Sequence, residues 1–264
     1  MKTKDNIMLH TGNCLDILKE YKENSFDCIF ADPPYNLSNN GFTCHSGKRA
    51  SVNKGKWDIS NGIEKDFEFS KSWIEECKRV LKPTGTIWIS GTYHSIYLCG
   101  SILQLLGFQI LNDVCWFKPN APPNISCRYF TSSHETILWA KKDKKTKHYF
   151  NYQLMKNGIW KDDKLKISGK KMRTVWSITA PKKEEKLYGK HPTQKPIELL
   201  KRIILASTKE GDLILDPFCG SSSTGVASSI LNRRFVGIDI NKKYIQLSIK
   251  RLQDAENKTL SIVK

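Results

Sequence analysis

Short apolar runs bounded by glycine, proline or polar clusters recur along the chain. Ile7-Met8-Leu9-His10 leads through the amphipathic stretch Cys14-Leu15-Asp16-Ile17-Leu18 to a second run, Phe26-Asp27-Cys28-Ile29-Phe30-Ala31. Runs of this length predict buried strands, and the helical spacing between them predicts a strand, helix, strand unit. The same pattern returns with Leu213-Ile214-Leu215, a helical stretch from Gly225 to Leu231, and Phe235-Val236-Gly237-Ile238. Between the two units, Trp73 to Leu81 has helical periodicity and stops at Lys82-Pro83-Thr84-Gly85, after which Thr86 to Ser90 reads as a buried strand. Ser101 to Leu106 predicts a further helix, and Phe108 to Trp116 and Thr136 to Ala140 predict further strands. Strands alternating with helices predict an α/β fold, a doubly wound, mostly parallel sheet with helices on both faces.

The 264 residues suffice for one large α/β domain and are too few for two, so the expected organisation is a single domain over 1–264 with insertions. Two stretches break the rhythm. Asn39 to Asp66 (39–66) is rich in Gly, Ser, Asn and Lys; Lys141 to Lys190 (141–190) is dense in Lys, with interleaved Tyr149, Phe150, Tyr152, Trp160, Trp176 and Tyr188. Long irregular segments serve as lids or binding loops. Alternating basic and aromatic residues suit phosphate contact and base stacking, and they also fit a solvated charged face with a few anchoring aromatics.

Charge narrows the choice of partner. Lys and Arg number 43 against 26 Asp and Glu, a formal charge of +17, and such a surface accumulates polyanions because each neutralised phosphate releases counterions. Nucleic acid is the leading partner, against a merely solubilising lysine-rich surface. The eight cysteines stand singly, with no zinc spacing, so no metal site is expected; several lie in apolar runs as reduced core residues. No apolar region follows Lys2, Lys4, Asp5 and Asn6, and no stretch approaches bilayer length, so a cytoplasmic protein is expected.

Two motifs carry chemistry. Asp32-Pro33-Pro34-Tyr35 follows directly on the strand at 26–31, at the carboxyl edge of the sheet where open α/β folds bind ligands. The prolines remove two donors and leave the Pro33 carbonyl beside the Asp32 carboxylate. Two acceptors at one point suit an exocyclic amine, whose lone pair they free for attack on a sulfonium methyl; Tyr35 would give a stacking face for a base taken out of the duplex. The competing reading is a Pro-Pro turn that merely closes a strand. The second motif, Asp216-Pro217-Phe218-Cys219-Gly220-Ser221-Ser222-Ser223-Thr224-Gly225, lies between a strand and a helix, where small residues let backbone approach a nucleotide. Asp239 follows at the end of the next strand, near the spacing at which an acid meets ribose hydroxyls. A full G-x-G-x-x-G and a phosphate loop are both absent, which favours a nucleoside cofactor without a pyrophosphate.

Together these motifs resemble the amino-methyltransferase family of DNA-modifying enzymes, and their order, catalytic motif first and cofactor loop late, resembles its β class. Thr11-Gly12-Asn13-Cys14, Lys82-Pro83-Thr84-Gly85-Thr86, Arg128-Tyr129-Phe130, His134-Glu135-Thr136 and Lys190-His191-Pro192-Thr193-Gln194-Lys195-Pro196 extend the likeness over nearly the whole chain, toward adenine enzymes of the HinfI, CcrM and DpnII-system type. The resemblance implies a Rossmann-like methyltransferase fold, S-adenosylmethionine as cofactor, double-stranded DNA as partner, base flipping, and N6-adenine methylation at GATC- or GANTC-like sites in restriction–modification or epigenetic marking. It assigns the target amine to Asp32, Pro33, Pro34 and Tyr35. Around the cofactor it sets Asp216, Phe218, Gly220, Ser221, Ser222, Ser223 and Thr224, with Asp32 beside them and Asp239 on the ribose. Thr193, Gln194 and Lys195 fall at the methionine end and Asp16 at the adenine end. Ser222 departs from the family's usual glycine and restricts positive φ at the expected point of close approach. The extra C-terminal domain of the CcrM-like members is not expected. A homodimer, a cognate restriction endonuclease and single-stranded DNA as substrate stay open. So do two other functions: N4-cytosine methylation, against which Asp32 speaks because related cytosine enzymes more often begin the motif with Ser, and a catalytically silent DNA-binding module. A protein-glutamine or RNA methyltransferase is disfavoured by the Asp and by the motif order.

Overall fold

The computed structural model describes every residue except 1, 5, 39–41, 46, 47, 52, 125, 126, 190, 263 and 264; the outer limits of both expected insertions, Asn39 and Lys190, therefore lie outside the described residues. In chain order the elements are β1 (Lys2–Lys4), β2 (Ile7–Thr11), α1 (Cys14–Leu18), β3 (Phe26–Ala31), β4 (Phe42–His45), β5 (Lys48–Ser51), α2 (Ile63–Val80), β6 (Leu81–Gly91), α3 (Ile96–Leu105), β7 (Gln109–Phe117), β8 (His134–Lys141), α4 (Tyr152–Asn157), β9 (Val175–Ser177), α5 (Ile197–Ser207), β10 (Leu213–Asp216), α6 (Ser223–Ile230), β11 (Arg234–Asp239) and α7 (Lys242–Ile262).

The main sheet runs β1-β2-β11-β10-β3-β6-β8-β7-β9. From β2 to β6 every pairing is parallel. β1 on β2, and β8 between β6 and β7, are antiparallel. β3 shows why this chain layers as it does: Cys28 and Phe30 point into one core, with α5, α6 and α7, while Ile29 and Ala31 point into the other, with α1, α2 and α3. Strand side chains alternate, so an apolar run buries both faces at once. The two expected strand, helix, strand units are present, as is the mostly parallel sheet with helices on both faces.

Three differences from the sequence reading have physical causes. α2 starts at Ile63, not near Trp73, because acidic Glu64 and Asp66 in its first turn and basic Lys78 and Arg79 in its last complement the helix dipole across a charge-rich first half. α5 was not anticipated; Leu199, Leu200, Ile203 and Ile204 are all buried by it. The stretch at 141–190 is also more structured than its composition suggests. It carries α4 and edge strand β9, Trp176 is buried, and the Arg202 guanidinium lies between the Trp160 and Trp176 rings at 4.7 and 5.1 Å. These aromatics, expected to stack on bases, stack on the protein's own core. Asp163 fixes them, accepting from Arg202 Nη1 at 2.5 Å and from the amides of Leu165 and Ser177. Among the described residues no helix is long and apolar enough to cross a membrane.

Candidate active site

The order of the parallel strands reverses between β10 and β3, and in open α/β sheets ligands bind at the carboxyl ends beside such a switch. Both motifs leave the sheet there, Asp32 from β3 and Asp216 from β10, whose strands pair through Cys28 with Ile214 and Ile29 with Leu215. The Asp-Pro-Pro-Tyr turn needs an acceptor for the amides that follow its prolines. Asp58, buried in a short 3-10 turn, supplies one: its Oδ1 accepts from the amides of Tyr35 (2.8 Å) and Asn36 (2.9 Å), and its Oδ2 from the Leu37 amide and the Ser38 hydroxyl. Nothing in the polar stretch around Asp58 marked it in the sequence.

Asp32 sits in a nearly enclosed charge cluster. Its Oδ2 is 2.6 Å from Lys195 Nζ, and its Oδ1 accepts the Tyr35 hydroxyl at 2.5 Å. Glu135, at the start of β8, brings Oε2 to 3.0 Å from the Tyr35 hydroxyl, and its Oε1 accepts from Lys118 Nζ at 2.9 Å. Burial raises the Asp32 carboxyl above the usual carboxylate range, against the pull of Lys195. Burial also acts to raise Glu135, yet Lys195 and Lys118 outweigh it and hold the carboxyl at about 2. Burial disfavours the Lys195 ammonium, but Asp32 and Glu135 together raise its pKa, so it stays charged. In the sequence Glu135 is a lone acid in His134-Glu135-Thr136 ahead of an apolar strand, which by itself signals no role. Tyr35 is only 5% exposed, with Lys195 Nζ 5.1 Å from its ring centroid. The free stacking face expected of it is not offered in this conformation, because the carboxylates draw its hydroxyl inward.

Beside Asp32 opens a cavity of about 260 Å³. Pro34 and Asp32 line one end, Asp239 another, and Phe69, Phe218, Trp57 and Tyr244 supply aromatic walls. A second space of about 20 Å³, lined by Asp32, Gln194, Lys195, Asp216, Gly220, Ser221, Ser223 and Thr224, lies under the small-residue loop. Thr193 and Phe218 line both. The loop is shaped by carboxylates: Asp239 Oδ2 accepts the Gly220 amide at 2.9 Å, while Asp216 takes the Phe218 amide and the Thr224 hydroxyl. Burial pushes Asp216 up to about 7. Gly220 has φ 51°, and a Cβ there would lie 2.9 Å from His191, so the close approach needs glycine. An apolar, aromatic slot ending in a carboxylate and in closely approachable backbone fits a nucleoside with an amino-acid tail.

Two expected cofactor residues are not brought to this space. Asp16 is exposed on the first turn of α1, 4.0 Å from Lys19, while the neighbouring Asn13 and Cys14 line the cavity instead. Ser222 has the left-handed φ of 57°, but its side chain is fully buried, points toward α6 and lines neither cavity. Of the catalytic set, Pro33 and Tyr35 are buried and line neither cavity.

A doubly wound sheet bearing an acid-proline turn and a nucleoside-shaped slot at its switch point defines a transferase of the S-adenosylmethionine-dependent class. Residues 26–250 match the family described as DNA methylase, and the chain belongs to that family. It is 52% identical over 257 residues to the type II methyltransferase M2.DpnII of Streptococcus pneumoniae, which spans 97% of this chain and 92% of that protein. With the type II methyltransferase M.HinfI of Haemophilus influenzae it shares 40% identity, over 96% of this chain and 71% of the relative. Among solved structures, the M1.HpyAVI–SAM complex superposes with a TM-score of 0.67 at 27% identity, covering 93% of this chain and 98% of that one.

Proposed function

We propose that this protein transfers the methyl group of S-adenosylmethionine to N6 of adenine in a short GATC- or GANTC-like duplex site. The observation that carries the reading is that Asp32, at the end of β3, lines the same cavity as Asp239 and Phe218. One acid for a target amine and a slot for a nucleoside cofactor thus open on one space. S-adenosylmethionine supplies an electrophilic methyl on a sulfonium. The residues that would hold it are Phe69, Phe218 and Tyr244 along the slot, Asp239 at the ribose, and Thr193 with the Gly220 loop toward the tail. Asp32 accepts an N–H of the exocyclic amine, which withdraws the nitrogen lone pair from the ring and directs it at the methyl; enclosure of the site strengthens that hydrogen bond. The base must leave the helix stack to reach Asp32. The loop rim between β7 and β8 presents Tyr129 and Phe130 at 71% and 99% exposure, next to Arg128, and Lys118 ties the foot of this loop to Glu135. That rim, with the lysines of 39–66 and 141–190, is assigned to the duplex. In a restriction–modification pair, the mark would shield the site from a cognate endonuclease.

The test is nucleoside mass spectrometry of unmethylated DNA incubated with protein and S-adenosylmethionine. N6-methyladenine from the wild type and none from Asp32→Ala, with cofactor binding retained in the variant, is the expected result. N4-methylcytosine would keep the mechanism and replace the substrate. Full activity in Asp32→Ala would remove the assigned role, and no product from the wild type would favour a silent DNA-binding module.

A further inference from the structure

Hydrogen counting in the Asp32 cluster leaves one oxygen short of donors. The Tyr35 hydroxyl has a single hydrogen and two carboxylate neighbours, Asp32 Oδ1 at 2.5 Å and Glu135 Oε2 at 3.0 Å. The shorter contact takes it. Among the described residues, the remaining neighbours of Glu135 Oε2 are Ser90 Oγ at 3.4 Å and Lys195 Nζ at 3.6 Å, both beyond a full-strength bond. Asp32 is better supplied, holding Tyr35 on one oxygen and Lys195 on the other at full hydrogen-bond distance. Each oxygen keeps a lone pair, but Asp32 and Lys195 are both enclosed, so an amine arriving at Asp32 crowds the ammonium already seated there.

We infer that Lys195 is a movable counter-ion and that Glu135 is the positioning residue that receives it when the target amine occupies Asp32. The shift is small. Shortening 3.6 Å to an ordinary charged hydrogen bond of about 2.8 Å brings Nζ onto Glu135 Oε2 while its bond to the Thr193 carbonyl, 3.2 Å, acts as the pivot. Lys118 holds the other Glu135 oxygen and keeps the receiving carboxylate in place. The displacement is under about 1 Å and the ammonium has three hydrogens, so Nζ stays within ion-pair reach of Asp32 as it closes on Glu135; a lone pair on Asp32 is freed and neither buried carboxylate loses its counter-ion. The charged and titratable groups facing Asp32 are Lys195, Glu135, Tyr35 and, from the end of β10, Asp216.

This inference rests on the proposed reaction, and the experiment separates the two. Glu135→Gln removes the receiving charge and also the like charge that raises the Asp32 carboxyl. Its kcat is expected to fall at least tenfold, its dissociation constant for S-adenosylmethionine to stay within twofold of wild type, and the acid limb of kcat/KM to move to lower pH. A duplex with 2-aminopurine at the target position, which has no 6-amine to seat on Asp32, reads base flipping alone: its fluorescence rise on binding should be the same in the variant and the wild type, and a smaller rise in the variant would assign Glu135 to flipping and overturn the inference. Glu135→Asp keeps the charge but draws it back, so it should lose kcat in part and keep the wild-type limb; it carries the test if Glu135→Gln does not fold. An unchanged kcat in either variant, or a reduced one in Glu135→Gln with an unmoved acid limb, overturns the inference. An inactive wild type overturns the reaction itself.

Discussion

Ser222 holds φ 57° and ψ 43° with its hydroxyl buried and without a hydrogen-bond partner among the described residues. A left-handed conformation costs a non-glycine residue about 1–2 kcal/mol, and an unsatisfied buried hydroxyl about 1–3 kcal/mol. Glycine would lose about 0.5–1 kcal/mol through its freer unfolded chain. Ser222→Gly should therefore stabilise the protein by at least about 1 kcal/mol, read as a rise in Tm of about 2–4 °C, with KM for S-adenosylmethionine unchanged. A lower Tm would mean that the hydroxyl has a partner. The strained conformation at this position was legible as a departure from the family's glycine; the direction of the side chain was not, because backbone angles and side-chain aim are separate facts. The same limit applies to Asp16. Asp32, Phe218, Gly220 and Asp239 were legible because motif and strand end coincide. Asp58 and Glu135 were not, since a single acid in a polar stretch or at a strand edge has no periodicity of its own.

At the scale of elements, the segment from α4 to β9 hangs on one buried ion pair. Asp163 and Arg202 are almost fully enclosed, and the guanidinium also fills the gap between two indoles. Asp163→Ala strands a buried cation and should cost about 3–5 kcal/mol, seen as a lowered urea midpoint and as new proteolytic cuts between Trp160 and Val175. Replacing both partners with apolar residues should recover most of that loss, and failure to recover would show that the amide contacts of Asp163 dominate. Strands such as β3, β10 and β11 were legible because both of their faces are apolar. α5 and the first half of α2 were not: the former does carry a stripe, Leu199, Leu200, Ile203 and Ile204, but directly behind a long irregular lysine-rich stretch, and the latter interleaves Ile63, Phe67 and Phe69 with charges.

For the whole molecule, the charge of +17 sets how tightly it holds DNA at a given ionic strength. Neutralising about six or more phosphates should weaken duplex binding about a thousandfold between about 50 and 200 mM salt, measured by fluorescence anisotropy; a flat response would show that the lysines only solubilise the surface. The α/β class was legible from alternating units, whereas the neighbours of each strand were not, since pairing is decided by tertiary packing. Strand order also has a consequence for how the protein is made. β10 and β11 lie between β2 and β3, so a chain leaving the ribosome must hold open a slot two strands wide until residues 213–239 have emerged. Until then β2 and β3 present unpaired edges that invite aggregation and call for chaperone cover. Asp32 meanwhile has neither Gly220 nor Asp239 beside it. A chain cut short before residue 213 should therefore bind no S-adenosylmethionine, since the Phe218, Asp239 and Tyr244 sides of the slot are missing from it.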